Sequence, residues 1–277
     1  MAIFTANLNF PADEVKVRFE YIKANRTSIE FFANSIQSEL LIRDTISDEE
    51  EKKRLDLCDL RLGERITDLI RSKFPSDAVL SESETVPGKN DFQWVLDPVD
   101  GSMNFLRGLP LYAISIGLKY RGSAVMGFII IPGLDSVYTA VYGSGAFKNG
   151  NQIQVSEISS IQRAFLVFSF PSRNSNLREF ITELTAVVSS ARSIRRTGSL
   201  IVDLCFLCEG KLDGIWERKV EQFDLTAASV ILREAGAEIS DFKDQEILSY
   251  PSDVLISNGK IHGQILDVLN KTFANMN

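Results

Sequence analysis

Trp94-Val95-Leu96-Asp97-Pro98-Val99-Asp100-Gly101-Ser102 reads as a buried strand that delivers two carboxylates, three residues apart, into a turn. Pro98 fixes its own φ and has no N–H to give a sheet, and Gly101 lets the backbone come close to a ligand. The turn is therefore stiff, and Asp97, Asp100 and the Val99 carbonyl can face one ion. Oxygen donors alone suit a hard cation, Mg²⁺ or Mn²⁺, and do not suit zinc. Asp-Pro-x-Asp-Gly is also ordinary turn chemistry, so a capped turn competes with an ion site unless more acids converge on it.

Two remote stretches offer such acids. Leu80-Ser81-Glu82-Ser83-Glu84 continues a short apolar run, with no hydrophobic reason for its glutamates. Trp216-Glu217 and the following residues lead to Phe223-Asp224-Leu225, which sets an aspartate at the start of an apolar helix. As a helix N-cap, Asp224 would be worth about 1 kcal/mol, so this simpler role competes with ligation.

Outward from these segments, apolar residues at three- and four-residue steps predict one opening helix from Asp13 to Gln37. Ser47-Asp48-Glu49-Glu50 predicts the capped start of a second helix, which ends at Phe74-Pro75; the charged run Asp48 to Arg54 reads as its solvated face. Strands are expected at Val79-Leu80, Gln93 to Leu96, Leu111 to Lys119, Ala124 to Ile131 and Ser136 to Tyr142. Asn149-Gly150 marks a hairpin. Beyond it the pattern alternates: strand Ala164 to Phe170, helix Leu177 to Ser190, strand Ser193 to Arg196, helix Ser199 to Glu209, strand Gly214 to Glu217, helix Asp224 to Ala235. An α/β protein is predicted, with an α+β half over 1–149 carrying most of the acids and an α/β half over 150–277 contributing Asp224.

The 277 residues suffice for a sizeable core, and 44% hydrophobic with 24% charged residues is a globular balance. Thirty basic against 37 acidic residues give a net charge of -7, which disfavours nucleic acid and anionic membranes as partners. No apolar run approaches the roughly 20 residues of a membrane span. Three cysteines make no disulfide framework, and a reducing cytoplasm is expected. Cys205 and Cys208 fall on one face of an apolar helix and read as core. The single histidine, His262, is expected at a helix end or on the surface, which removes histidine-based catalysis. Arg192, Arg195 and Arg196 form a basic cluster that reads either as a solubilised strand edge or as a contact for a second phosphate.

Glu82, Asp97-Pro98-Val99-Asp100-Gly101-Ser102 followed by Asn104-Phe105, and Phe223-Asp224-x-x-Ala227-Ala228 followed by Glu234-Ala235-Gly236 resemble the inositol monophosphatase family of metal-dependent, lithium-sensitive phosphatases. Gly145 to Gly150, Gly198-Ser199 and Leu212 to Glu217 fit it in order and spacing, so the likeness runs from about Asp59 to Gly236. The resemblance implies a layered α/β/α/β/α sandwich and a homodimer. It also implies two or three Mg²⁺ ions held by Glu82, Asp97, the Val99 carbonyl, Asp100 and Asp224, with Li⁺ and Ca²⁺ inhibitory. Gly101 and Ser102 would present backbone N–H groups to a phosphate at a helix start. Asp59 and Ser102 would orient the attacking water, Glu217 would accept a substrate hydroxyl, and Gly198, Ser199 and Leu200 would line the pocket.

The chain departs from the family in three places. Ser83 stands where a second glutamate is usual, so that carboxylate is missing or supplied by Glu84. A charged helical run replaces the usual hairpin before Asp59, which leaves Asp56 as a rival. Phe223 replaces a tryptophan. The expected function is Mg²⁺-dependent hydrolysis of a small phosphate monoester, inositol monophosphate first, by in-line attack of metal-activated water. The alternatives on the same centre are a 3'(2'),5'-bisphosphate nucleotidase, a fructose-1,6-bisphosphatase, an NADP phosphatase and a histidinol-phosphate phosphatase. A non-catalytic binding protein that keeps the fold is the alternative of another class.

Overall fold

The computed structural model describes residues 9–168 and 177–274. Three helices come first: α1 (Ala12–Ala24), α2 (Arg26–Leu40) and α3 (Asp48–Lys73). The Ser47 side chain accepts from the Glu50 amide at 3.2 Å and starts α3, whose first turn carries Asp48, Glu49, Glu50 and Glu51 at the positive end of the dipole. The single opening helix expected from the apolar spacing is two. Asn25 interrupts it with φ -98° and ψ 5°, its side-chain amide and its backbone N–H both donating to the Tyr21 carbonyl, at 2.8 and 3.2 Å.

An eight-stranded sheet follows, built from β1 (Ala78–Ser81), β2 (Thr85–Val86), β3 (Phe92–Asp100), β4 (Ala113–Tyr120), β5 (Ser123–Ile131), β6 (Ser136–Val141), β7 (Ala146–Lys148) and β8 (Asn151–Ile153), with α4 (Ser102–Leu106) between β3 and β4. The strand order is β2-β1-β3-β4-β5-β6-β7-β8, and β1 beside β3 is its one parallel pairing. Asn149 (φ 48°) and Gly150 (φ 81°) close the β7–β8 hairpin, as the sequence predicts.

The remaining chain forms β9 (Phe165–Phe168), α5 (Leu177–Ser190), β10 (Ser193–Arg195), α6 (Leu200–Cys208), β11 (Gly214–Val220), α7 (Gln222–Glu234), β12 (Glu238–Ser240), β13 (Ser252–Ser257) and α8 (His262–Ala274). Residues 169 and 170 of the expected Ala164 to Phe170 strand lie outside the described residues. These strands make a second sheet in the order β10-β9-β11-β13-β12, parallel across its first three strands and antiparallel beyond.

Three apolar clusters define the layers. Ile22, Ile29, Ile66 and Ile70 of the opening helices pack on one face of the large sheet with Trp94, Leu96, Ile116 and Phe128. Its other face meets α6 and α7, which in turn contact Val167, Ile215 and Ile256 of the small sheet. The far face of the small sheet buries Leu166, Trp216 and Leu255 against Val187 of α5 and Ile265 and Leu269 of α8. The fold is thus an α/β/α/β/α sandwich. Among the described residues no helix is long and apolar enough to cross a membrane.

His262 begins α8, but it is buried and not on the surface. The Ser240 hydroxyl donates to the Asp241 carbonyl at 2.7 Å, which leaves its oxygen to accept from His262 Nε2–H at 2.8 Å. The Ser257 hydroxyl takes the Gly259 amide at 3.1 Å and donates to Nδ1 at 2.9 Å. Both ring nitrogens are spent on a neutral tautomer that ties β12 and β13 to α8, and burial pulls the imidazole below its usual pKa. Cys58, Cys205 and Cys208 are free and buried.

Candidate metal centre

The turn after β3 is shaped by a register slip. Asp97 pairs with Ser115 and Asp100 with Ala113, so β3 carries one residue more than β4 between these pairs. Pro98, which cannot donate to the ladder, occupies that bulge. Gly101 then takes φ 86° as the N-cap of α4. A Cβ there would stand 2.9 Å from Ser199 Cβ and 3.3 Å from the Gly198 carbonyl, so glycine is needed for the backbone angle and for the approach of the Gly198-Ser199 loop. That loop grips Asp100: the Ile201 amide donates to Oδ2 at 2.7 Å and the Ser199 hydroxyl bonds the same oxygen. Asn104 fastens the arrangement by donating to the carbonyls of Leu111 (2.6 Å) and Thr197 (2.9 Å).

α3 brings Asp59 to the same place. At Gly63, one helical turn further on, an added Cβ would meet Pro98 Cγ at 3.2 Å and Ser83 Oγ at 3.6 Å, so the helix lies directly on the β3 turn and the β1–β2 turn. The Ser102 hydroxyl reaches Asp59 Oδ2 at 3.4 Å but lies closer, 3.0 Å, to the Val99 carbonyl. Val99 O is therefore already engaged by Ser102. Asp56 is exposed on α3, and Asp59 is the one beside Ser102. Glu82 is exposed in the β1–β2 turn, where its charge acts on both Asp59 and Asp97. Glu84 is exposed beyond it, and its hydrogen bonds run through its backbone to Ser81.

Asp224 arrives on α7 from the other side of the sheet. Asp224 is not the N-cap that the sequence allowed: Glu221 holds that position, and Asp224, the third residue of α7, accepts the Glu221 amide on Oδ2 at 2.7 Å in a capping box. A carboxylate has two oxygens, and capping occupies one of them.

Burial and mutual repulsion dominate the electrostatics. Burial pushes Asp97 well above the usual carboxylate range, and the charges of Asp100, Asp224, Asp59 and Glu82 push it the same way. Burial lifts Asp59 to about 7, with Glu82 and Asp100 adding and the Cys58 and Ser102 contacts opposing. Asp224 also rises to about 7, through burial against the Glu221 hydrogen bond and with repulsion from Asp100 and Glu82. Burial raises Asp100 too, opposed by its bonds from Ser199 and Ile201. Among the described residues no arginine or lysine bonds to these five acids.

Four buried side-chain oxygens lack a hydrogen-bond partner among the described residues: Asp59 Oδ1, Thr67 Oγ1, Ser115 Oγ and Asp203 Oδ1. Asp59 belongs to the cluster, Ser115 pairs with Asp97 across the sheet, and Asp203 feels the charge of Asp100. Uncompensated carboxylates near enough to repel one another, with unpaired acceptors among them, suit a hard divalent cation bound through oxygen; among the described residues the one group of three such side chains whose ligand atoms already lie within 4.8 Å of one another is Glu238, Asp244 and His262.

Beside Asp224 opens a cleft of 260 Å³ whose walls include Gly198, Ser199, Leu200, Glu217, Asp203, Arg196, Arg218 and Lys219. The residues expected to line the substrate pocket are thus gathered on the small-sheet side of the acids. The family model described as the inositol monophosphatase family matches residues 18–274. The chain belongs to the inositol monophosphatase family. A fructose-1,6-bisphosphatase/inositol-1-monophosphatase of Aquifex aeolicus is 32% identical over 234 residues, 83% of this chain and 86% of the relative. The Nus factor SuhB of Vibrio cholerae is 35% identical over 180 residues, 64% of this chain and 67% of its own. The crystal structure of the extragenic suppressor protein suhB from Bartonella henselae superposes with a TM-score of 0.82 at 25% identity, covering 92% of this chain and 99% of that one.

Within this inositol monophosphatase fold, sequence reasoning passed over Asp203. Burial lifts its carboxyl to about 7, against hydrogen bonds from Thr197. The signal was present: it is the lone charge in the apolar helix Leu200–Cys208. Ser115 carried no such signal, because nothing local distinguishes it from any small strand residue.

Proposed function

We propose that this protein is a divalent-metal-dependent phosphatase that hydrolyses inositol monophosphate. The reading rests on one observation above all: carboxylates from α3, the β1–β2 turn, the β3 turn and α7 repel one another, and one of them, Asp224, lines a cleft that also holds Glu217. Mg²⁺ bound among them supplies Lewis acidity and reverses the local field, so that an acidic chain can take an anionic ester. Glu82, Asp97, Asp100 and Asp224 would hold it, with the Val99 carbonyl available if Ser102 turns its hydroxyl to Asp59.

The chain's own residues divide the remaining work. Asp59, with Ser102 beside it, orients the attacking water and takes its proton. The amides of Gly101 and Ser102 meet the phosphate oxygens and hold phosphorus in line between water and the departing alkoxide. Glu217 accepts a hydrogen bond from a ring hydroxyl, and the Gly198-Ser199-Leu200 wall sets the ring against the acids.

A bisphosphate is the second reading, favoured by Arg196, Arg218 and Lys219 on the cleft wall and by the double name of the Aquifex relative. Phosphate release from inositol 1-phosphate, fructose 1,6-bisphosphate, adenosine 3',5'-bisphosphate, NADP and histidinol phosphate decides between them. Inositol 1-phosphate is expected to give the highest kcat/KM with Mg²⁺ and none in EDTA. Activity that survives EDTA contradicts the metal requirement, and a bisphosphate ranked first contradicts the substrate.

A further inference from the structure

We propose that Ser115 is a positioning residue for Asp97, its hydroxyl donating to the Asp97 carboxylate and holding it in the rotamer that faces the cation. This rests on the metal-dependent reading above. Ser115 and Asp97 are cross-strand partners on β4 and β3, and theirs is the last pairing before the bulge at Pro98. Directly opposed residues of an antiparallel pair share a face and carry Cβ atoms about 4.5–5.5 Å apart, close enough for a serine hydroxyl and an aspartate to meet after a small rotation.

The shared face is the one turned to α7. Two residues further along β4, a Cβ on Gly117 would lie 2.7 Å from Thr226 Cγ2 and 2.9 Å from the Ala227 amide, so alternate β4 residues from Ser115 to Gly117 point at that helix, whose first turn bears Asp224.

Ser115 is wholly buried, and among the described residues its hydroxyl has no hydrogen-bond partner. Asp97, which is almost as deeply buried, receives no hydrogen bond among the described residues either. A fully buried hydroxyl is seldom left without a partner. Here an unused donor and an unused acceptor face each other across one rung of the sheet. A carboxylate that is held by the cation on one side and by Ser115 on the other cannot swing away from the cluster, the part that outer partners of a ligand commonly play.

The test measures Mg²⁺ dissociation by calorimetry, and the Tm of the metal-free protein, for the full chain and for Ser115→Ala, Ser115→Cys and Asp97→Asn. The account expects Ser115→Ala to weaken Mg²⁺ binding about tenfold, while the metal-free Tm stays level or rises because an unpaired buried hydroxyl is gone. Ser115→Cys fills the space that Ser115→Ala empties but with a poor donor, and should weaken binding similarly, which separates the hydrogen bond from a cavity effect. Mg²⁺ affinity within twofold of the natural chain in Ser115→Ala, while Asp97→Asn loses binding, overturns the role of Ser115 alone. A metal-free Tm that falls in step with affinity also overturns it, since that is the mark of a structural role. A natural chain that binds no Mg²⁺ overturns the metal-dependent reading and this proposal with it.

Discussion

A Cβ placed on Gly127 would stand 2.1 Å from the carbonyl oxygen of Ala227, so β5 and α7 touch backbone to backbone. Only glycine permits that contact, and the height of α7 above the sheet sets where Asp224 comes to rest. Gly127→Ala must push the helix away, since a backbone oxygen cannot rotate aside. We expect a loss of at least about 2 kcal/mol in urea unfolding, with weaker Mg²⁺ binding in whatever fraction folds. Unchanged stability would mean that the helix has room to shift.

The acid cluster makes the metal-free protein less stable as pH rises. Unfolded aspartates ionise near 3.8, whereas Asp59 and Asp224 in the folded chain keep their protons up to about 7. The folded state therefore binds more protons between these values, and its stability falls as pH climbs through that window. In EDTA, Tm should drop between about pH 5 and about pH 8 by more than other titrating groups explain, and Asp97→Asn should flatten the slope. Millimolar Mg²⁺ should raise Tm at the higher pH and do little at the lower, because protons compete for the same oxygens. A Mg²⁺ effect equal at both would contradict this.

Glu217 tests the substrate side independently. Replacing it with Gln keeps the shape but weakens acceptance of a ring hydroxyl. The KM for inositol 1-phosphate should rise about tenfold, the scale of one charge-assisted hydrogen bond, with kcat much less affected. A KM that does not move removes Glu217 from substrate recognition.

Away from the centre, Arg18 and Asp77 form a buried ion pair in which Arg18 donates twice at 2.8 Å. Asp77 also accepts from Trp94 Nε1 (2.9 Å) and Asn90 Nδ2 (2.7 Å), while the Arg18 guanidinium lies 3.7 Å from the Phe92 ring centre. Asp77→Ala strands a guanidinium in this apolar setting. It should cost about 3–5 kcal/mol in chemical unfolding, and a cost below about 1 kcal/mol would show that water or Glu14 takes over.

The residues that could be read in advance share a physical trait. Asp97, Asp100 and Asp224 stand where an apolar run stops, and an acid at such a point needs a reason that local structure supplies only in part. Ser47 announced α3 because capping is a local event. Long-range terms were out of reach. The apolar periodicity runs straight through Asn25, where the backbone turns aside, and β13 became a strand by pairing with β11, and β12 by pairing with β13, rather than by strong alternation of their own. His262 is buried only because Ser240 and Ser257 come from two other strands to satisfy it. Ser115 acts through Asp97, the residue across the sheet.

The most direct measurement is anomalous diffraction at the manganese edge from crystals of the natural chain soaked in Mn²⁺. The account predicts peaks within about 2.5 Å of carboxylate oxygens of Glu82, Asp97, Asp100 and Asp224, at the mouth of the Glu217 cleft. No peak among these four, or manganese held instead by Glu238, Asp244 and His262, whose ligand atoms lie within 4.8 Å of one another, would contradict it.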